Sequence, residues 1–360
     1  MAHAVVRMLS RLLLGVAAAS AVGCASIGPP SIARDRFDYV ASISESWKRQ
    51  MLQNLVMIRY TDVPVFLDVT AVIAAYSVDS QASVGGQIGR ASLGHSFATL
   101  DANASYADKP TITYTPLSGD KFARNLVTPL PVSSLLYVVQ GGHPVSWVFR
   151  ACVISINGLD NAFGGVSDPH GGDATFAELL AVMQEAQVAR AFGIRPKSAT
   201  DQNSVVIYFR DTDGAGARAV RRIRELLGLD GTAREFDVVY GAFPMKPTEI
   251  AILSRSAMQI LVDFASYIDV SSAEVTDGRV FDPARSADQL RLFPPLLRVR
   301  TGEVAPADAY VWARYRDQYF WIDDRDEQSK RALSALMVLF SLTETGTPQA
   351  AAPVVTIPAR

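Results

Sequence analysis

The apolar residues change their spacing at Val72, from a helical repeat to strict alternation, so the chain must contain both helix and sheet. Before the change, Val40, Ile43, Trp47, Met51, Leu55 and Ile58 recur at helical spacing. They predict an amphipathic helix over 38–60 with that stripe facing the core. Ser42-Ile43-Ser44-Glu45 reads as a capping box inside it, and Pro64 is the expected stop. From Val72 the even positions carry Ala74, Tyr76, Val78, Ala82 and Val84, while Ser77, Asp79, Gln81, Ser83 and Gln87 take the odd ones. A second alternating run places Ala98, Leu100, Ala102, Ala104 and Tyr106 on one side. Pairing Tyr76 with Tyr106, Val78 with Ala104, Ala82 with Leu100 and Val84 with Ala98 keeps a single apolar face. The result is a long β-hairpin over 76–106, turned by Gly89 to Leu93.

The rest of the chain mixes helix and strand without regular alternation. Lys109 to Pro116 is extended, Ser118 to Leu130 helical, and Pro131 to Val139 a short helix closed by Gly141-Gly142. Phe149 to Ile156 fits a buried strand and a buried helix equally, and Gly158 to Gly172 is a loop. Thr175 opens a helix closing near Gly193 and Pro196. Strands follow at 204–210 and 235–240, helices at 215–227 and 254–267. Asp308 to Tyr315 and Gln318 to Ile322 form a hairpin turning at Arg316-Asp317. A helix over 325–344, apolar from Ala332 to Leu342, belongs in the core, and Val354 to Ile357 is a closing strand. Because pure βαβ alternation is absent, the expected class is α+β: a long N-terminal hairpin, a mixed body and a buried C-terminal helix. The 360 residues, 49% hydrophobic, are ample for such a core.

The first residues carry a different message. Arg7 and Arg11 precede the short apolar run Leu12 to Ala19, then the small residues Ser20-Ala21-Val22-Gly23 and Cys24. A basic start, a short apolar centre and a small-residue exit describe a secretory signal. The run falls short of the ~20 residues a membrane span needs. Ala21-Val22-Gly23-Cys24 resembles the bacterial lipobox, which implies cleavage before Cys24, diacylglyceryl on its sulfur and an N-acyl chain such as palmitate. Several chains anchor durably where one is marginal. By the same resemblance, Ala25 after the cysteine favours the outer membrane. The expected organisation is a signal at 1–23, a lipidated tether at 24–36, a helix and hairpin region at 37–117 and an α+β body at 118–360. Without residues 1–23 the chain holds 32 basic against 36 acidic residues, a net −4 that gives no reason to bind nucleic acid.

No catalytic, cofactor or metal motif stands out. His95, His143 and His170 are scattered among turn residues, without the close pairs that let one helix face or knuckle present two metal ligands. Gly-x-Ser-x-Gly is missing, and Gly85-Gly86-Gln87-Ile88-Gly89 lies in an alternating strand rather than before a helix that would receive phosphate. Cys152 sits in an apolar run and reads as a buried, inert thiol. Asp323-Asp324-Arg325-Asp326-Glu327 offers acid–base groups, but equally suits the positive end of the helix that follows. Arg218, Arg221, Arg222 and Arg224 make a solvated helix face, or one that meets an acidic partner or lipid headgroup. Tyr310, Trp312, Tyr315, Tyr319, Phe320 and Trp321 crowd one hairpin. They pack against the terminal helix, or Tyr310, Trp312, Tyr319 and Trp321 stack on a glycan.

Several stretches are similar to an uncharacterised family of bacterial lipoproteins of the outer-membrane type. They are Gln50 to Tyr60, Pro64 to Val69, Pro110 to Gly119, Ser155 to Gly158 and Tyr319 to Asp326. That resemblance implies a place, the cell envelope, and no mechanism. Two readings follow: a non-enzymatic scaffold or assembly and secretion subunit, meeting envelope proteins or further copies of itself, and a glycan- or peptidoglycan-binding module. A sharper form of the first inserts the 76–106 hairpin into the outer membrane, with oligomers closing a barrel that resembles the curli-secretion lipoprotein channel. Its strands have the ~9–11 residues required. A soluble hairpin packed on the 38–60 helix accounts for the same pattern.

Overall fold

The computed structural model describes residues 29–73, 76–87, 97–108, 111–117, 119–165, 170–198, 204–281 and 286–341. Its class is α+β. The chain divides into two units, one made by Val65–Gly119 and the other by the residues on either side of it. Residues 1–23, Cys24 and the expected closing strand at 354–357 lie outside the described residues.

The second unit opens with α1 (Pro29–Arg59), which starts well before residue 38. Prolines are at home in a first turn, where a missing N–H loses nothing and the fixed φ suits a helix, so the expected tether is helical from Pro29 onward. Ser42 does not cap: its hydroxyl donates to the Asp38 carbonyl within the helix at 2.9 Å, and Glu45 pairs with Lys48 and Arg49. Nor does Pro64 stop the helix. Thr61 turns left-handed at φ +63°, its N–H bonds the Ile58 carbonyl, and the Asp62 N–H reaches back to Met57. Met51, Leu55 and Ile58 are buried as expected, whereas Val40 and Trp47 are exposed. The stripe therefore enters the core only from Met51 onward.

Val65–Gly119 holds two ladders. β1 (Leu67–Ile73) pairs antiparallel with β4 (Thr111–Pro116). Between them in sequence, β2 (Tyr76–Gln87) pairs antiparallel with β3 (Phe97–Asp108). The register puts Tyr76 opposite Asp108, Val78 opposite Tyr106 and Val84 opposite Leu100. It is displaced by two residues from the pairing expected on side-chain pattern. A shift of two keeps every side chain on its face, so alternation alone does not discriminate between the two registers. The expected turn at Gly89 to Leu93 lies outside the described residues.

In the larger unit α2 (Asp120–Val127) and α3 (Val132–Gln140) precede α4 (Val145–Cys152). Helix α4 runs directly into β5 (Val153–Ile156), so the segment 149–156 is half helix and half strand. Then come β6 (Leu159–Asp160), α5 (Ala174–Val188), β7 (Phe192–Pro196), β8 (Val205–Phe209), α6 (Gly214–Leu227), β9 (Glu235–Tyr240), β10 (Glu249–Ser254) and α7 (Ala257–Ala265). One sheet takes the order β6-β5-β10-β9-β8-β7, antiparallel except for β9 beside β10. Gly193 and Pro196 lie in β7 instead of closing α5. A Cβ on Gly193 would sit 2.4 Å from the Tyr208 hydroxyl, so glycine is there for close approach within a ladder. Phe149, Met183, Ile207, Ile223 and Ile252 meet between the sheet and helices α4 to α6. Each such side chain contributes about 1.5–3 kcal/mol on burial.

After α8 (Ser272–Thr276) and α9 (Ala287–Leu292) comes a small sheet of β11 (Arg300–Gly302), β12 (Ala309–Tyr315) and β13 (Gln318–Asp323), in the order β11-β13-β12. Arg316 and Asp317 both take positive φ, +46° and +63°, the two-residue turn that matches strand twist. α10 (Glu327–Ser341) buries Ala332, Leu333, Leu336, Leu339 and Phe340 but leaves Val338 exposed, so one face, not the whole helix, is core.

Candidate functional site

Alternation along β12 and β13 separates their aromatics. Val311, Ala313, Phe320 and Ile322 are buried on one face, where Phe320 meets Tyr60 edge-on at 6.1 Å and Tyr315 meets it at 5.3 Å. Trp312 and Trp321 are direct cross-strand partners on the other, half-buried face, and Tyr319 stands 5.6 Å from Trp312. Three of the four expected shelf residues thus share one side of the small sheet.

Cations stack on three of the four rings, Tyr310, Trp312 and Tyr319. Arg49 of α1 lies over Trp312 at 4.7 Å, Lys48 over Tyr310 at 4.6 Å, and Lys330 over Tyr310 at 5.4 Å. Arg314 covers Tyr319 at 5.8 Å and is itself held by Asp317 at 2.9 Å. Burial raises the Glu45 carboxyl, but hydrogen bonds from Lys48 and Arg49 outweigh this and hold it below its usual range. The aromatic density is therefore used, in part, to seat α1 on β12 through its charged side.

The acidic run is fully engaged at the start of α10. Asp326 accepts from the Ser329 N–H at 3.0 Å and from its hydroxyl at 2.8 Å, which is N-terminal capping. Asp323 faces Arg300, Asp324 pairs with Lys330, Glu327 with Arg331, and Arg325 with Asp308. Asp326 thus caps the helix, while Asp323, Asp324 and Glu327 are each paired with a base. Among the described residues no group of three metal-ligating side chains assembles.

The arginines of α6 divide their work. Arg222 pairs with Glu178 at 2.7 Å and Glu225 at 3.0 Å, and Arg224 donates to the Gly231 and Ala233 carbonyls while stacking on Phe209 and Phe236. Arg221 and Arg224, with Arg210 and Arg234, line an open groove of about 690 Å³ beside Asp211 and Glu225. Arg234 bridges Asp211 across it at 2.7 Å.

The densest polar constellation was not legible in advance. Asp263 of α7, fully buried, accepts from Arg150 at 3.3 Å, Arg255 at 3.1 Å and the Gly164 N–H at 2.8 Å. Arg255 also donates to the Ala151 and Ala162 carbonyls, and its own N–H to Cys152. Asn161 donates to the carbonyls of Arg150 and Val153. The Arg150, Ala151 and Cys152 carbonyls are the last of α4, with no partner inside the helix and at its negative end, and an amide, a guanidinium and a backbone N–H satisfy them in turn. Arg150 donates to the Tyr267 hydroxyl and stacks over Phe293; Arg255 stacks over Phe163. Burial pulls the Arg255 guanidinium down, opposed by Asp263, and pushes the neighbouring Cys152 thiol up to about 12. This centre ties α4, β5 and α7 together. The only advance sign was a pair of arginines, Arg150 and Arg255, set in apolar runs.

His143 and His170 are exposed. His95 and the lipidation candidate Cys24 lie outside the described residues. No family model, curated protein or solved structure matches this chain.

Proposed function

We propose that this protein is an exported lipoprotein, acylated on Cys24 and held at the outer-membrane surface, where it serves as a non-enzymatic envelope scaffold or assembly subunit. The observation that carries the proposal is the order of Arg7, Arg11, the apolar run 12–19 and Ala21-Val22-Gly23-Cys24. Helix α1 starting only five positions after Cys24 supports it, because the folded unit then begins close to the anchor. The pairing of the 323–327 carboxylates within a helix end, and the burial of Cys152, favour a scaffold over an enzyme. Mass analysis of the membrane form, compared with Cys24→Ser, tests it. Acyl mass and membrane attachment should both disappear in the variant; an attached wild-type chain without acyl groups would sink the proposal. The inserted-hairpin form is separable: removing 79–103 should then solubilise a Cys24→Ser chain, and a Cys24→Ser chain soluble with the segment intact excludes it.

A second reading, glycan or peptidoglycan binding, is favoured by one observation: Trp312, Tyr319 and Trp321 share one half-buried sheet face. Sugar C–H faces stack well on such rings. Retention on cell-wall material that falls in Trp312→Ala and Trp321→Ala would support it; undiminished retention removes it.

A further inference from the structure

Before Met51, where its apolar stripe enters the core, helix α1 meets its own unit with its charged side and leaves its apolar side exposed. Lys48 and Arg49 lie on the Tyr310 and Trp312 rings, with Glu45 pairing both. Phe37, Val40 and Trp47 are 74%, 57% and 43% exposed, with Ile43 half-buried between them. At about 100° per residue these four fall within an arc of roughly 120°, and Glu45, Lys48 and Arg49 fill the next arc of roughly 100°. A surface helix ordinarily does the reverse, burying its apolar arc against the protein.

The chain length to the anchor indicates the occupant. Four residues, Ala25 to Gly28, separate Cys24 from Pro29, and fully extended they reach at most about 18 Å. Phe37 lies about 12 Å further along the helix axis and Trp47 about 15 Å beyond it. Resting on the lipoprotein reading above, we infer that the Phe37–Val40–Ile43–Trp47 face of α1 lies in the headgroup boundary of the bilayer that holds the acylated Cys24. The amphipathic aromatic Trp47 suits that boundary. Seating on β12 through the adjoining arc, centred roughly 130° round the helix from the apolar one, leaves the Phe37–Trp47 face free of the small sheet. Basic Arg34, Arg36, Lys48 and Arg49 nearly balance acidic Asp35, Asp38 and Glu45, so neutral phosphatidylcholine should suffice.

The test uses the full acylated protein in phosphatidylcholine vesicles whose chains carry bromine either near the headgroup or deep in the bilayer. Shallow bromine should quench a tryptophan component that Trp47→Phe lacks, and deep bromine should quench it less. Phe37→Ser with Val40→Ser, both on exposed positions, should cut that component at least in half while far-ultraviolet dichroism is unchanged. Equal quenching in wild type and Trp47→Phe, with the protein still floating with vesicles, overturns the inference and leaves the anchor reading standing. Failure of the wild type to float overturns both. Concentration-dependent shielding of Trp47 without lipid quenching assigns the face to a second copy of the chain and likewise overturns it.

Discussion

At the scale of the residue, Asp263 is the most consequential side chain described. It is the carboxylate between Arg150 and Arg255, and all three are buried. Removing one partner from a buried charge cluster leaves the others uncompensated, so Asp263→Ala should destabilise the unit by about 3–5 kcal/mol. Denaturant midpoints measure this, and a loss below 1 kcal/mol would contradict the arrangement. Cys152 offers a second check. Its thiol is raised by burial from 9.0 to about 12, so the native state resists ionisation that the unfolded chain undergoes. The associated stability is complete below pH 9 and is lost as pH climbs from 9 toward about 12. In a Cys24→Ser background, the native protein should leave a thiol reagent unreacted at pH 8 and give one equivalent on unfolding. The inertness of Cys152 was legible from its apolar neighbours. The role of Arg255 was not, because it depends on α4 carbonyls about a hundred positions earlier in the chain.

At the scale of the element, helix ends separate what local pattern decides from what it does not. α6 ends at Gly228, left-handed at φ +62°, with the Leu229 N–H returning to the Arg224 carbonyl. Nothing lies within 4 Å of a Cβ there, so Gly228→Ala should cost about 1 kcal/mol through backbone strain alone. At α1 the same turn falls on Thr61, a β-branched residue poorly suited to φ +63°. Thr61→Gly should raise stability by several tenths of a kcal/mol, the relief of strain slightly exceeding the added chain entropy. Thermal midpoints of the two variants should move in opposite directions. Elements with strong local signals were readable: β9 and the β12–β13 turn fall where composition puts them. β7 and β10 were missed because glycine and proline, or a neighbouring helix signal, masked their short apolar runs. Along α1 the sequence marks one continuous stripe, yet only its part from Met51 is core, since spacing reports amphipathicity and not what the apolar side faces.

At the scale of the whole molecule, the two units differ in how their strands are supported. Among the described residues β2 and β3 pair with each other alone, whereas β5, β8, β9 and β10 each have neighbours on both sides. An isolated two-stranded ladder is marginal in water. In a monomeric Cys24→Ser chain, amides of β2 and β3 should exchange orders of magnitude faster than those of β9 and β10. Equal protection would mean that another surface covers the ladder. Strand order was beyond the sequence, because β5, beside its sequence neighbour β6, is completed by the distant β10 and not by β7 or β8. That pairing also sets a timetable. Ile156 must wait for Ile252, roughly a hundred residues later, and sheets closed by such distant partners fold in milliseconds to seconds rather than microseconds. Under the export proposed above, this delay would be an advantage, since the central sheet stays open until Ile252, about two thirds of the way along the chain, has been synthesised.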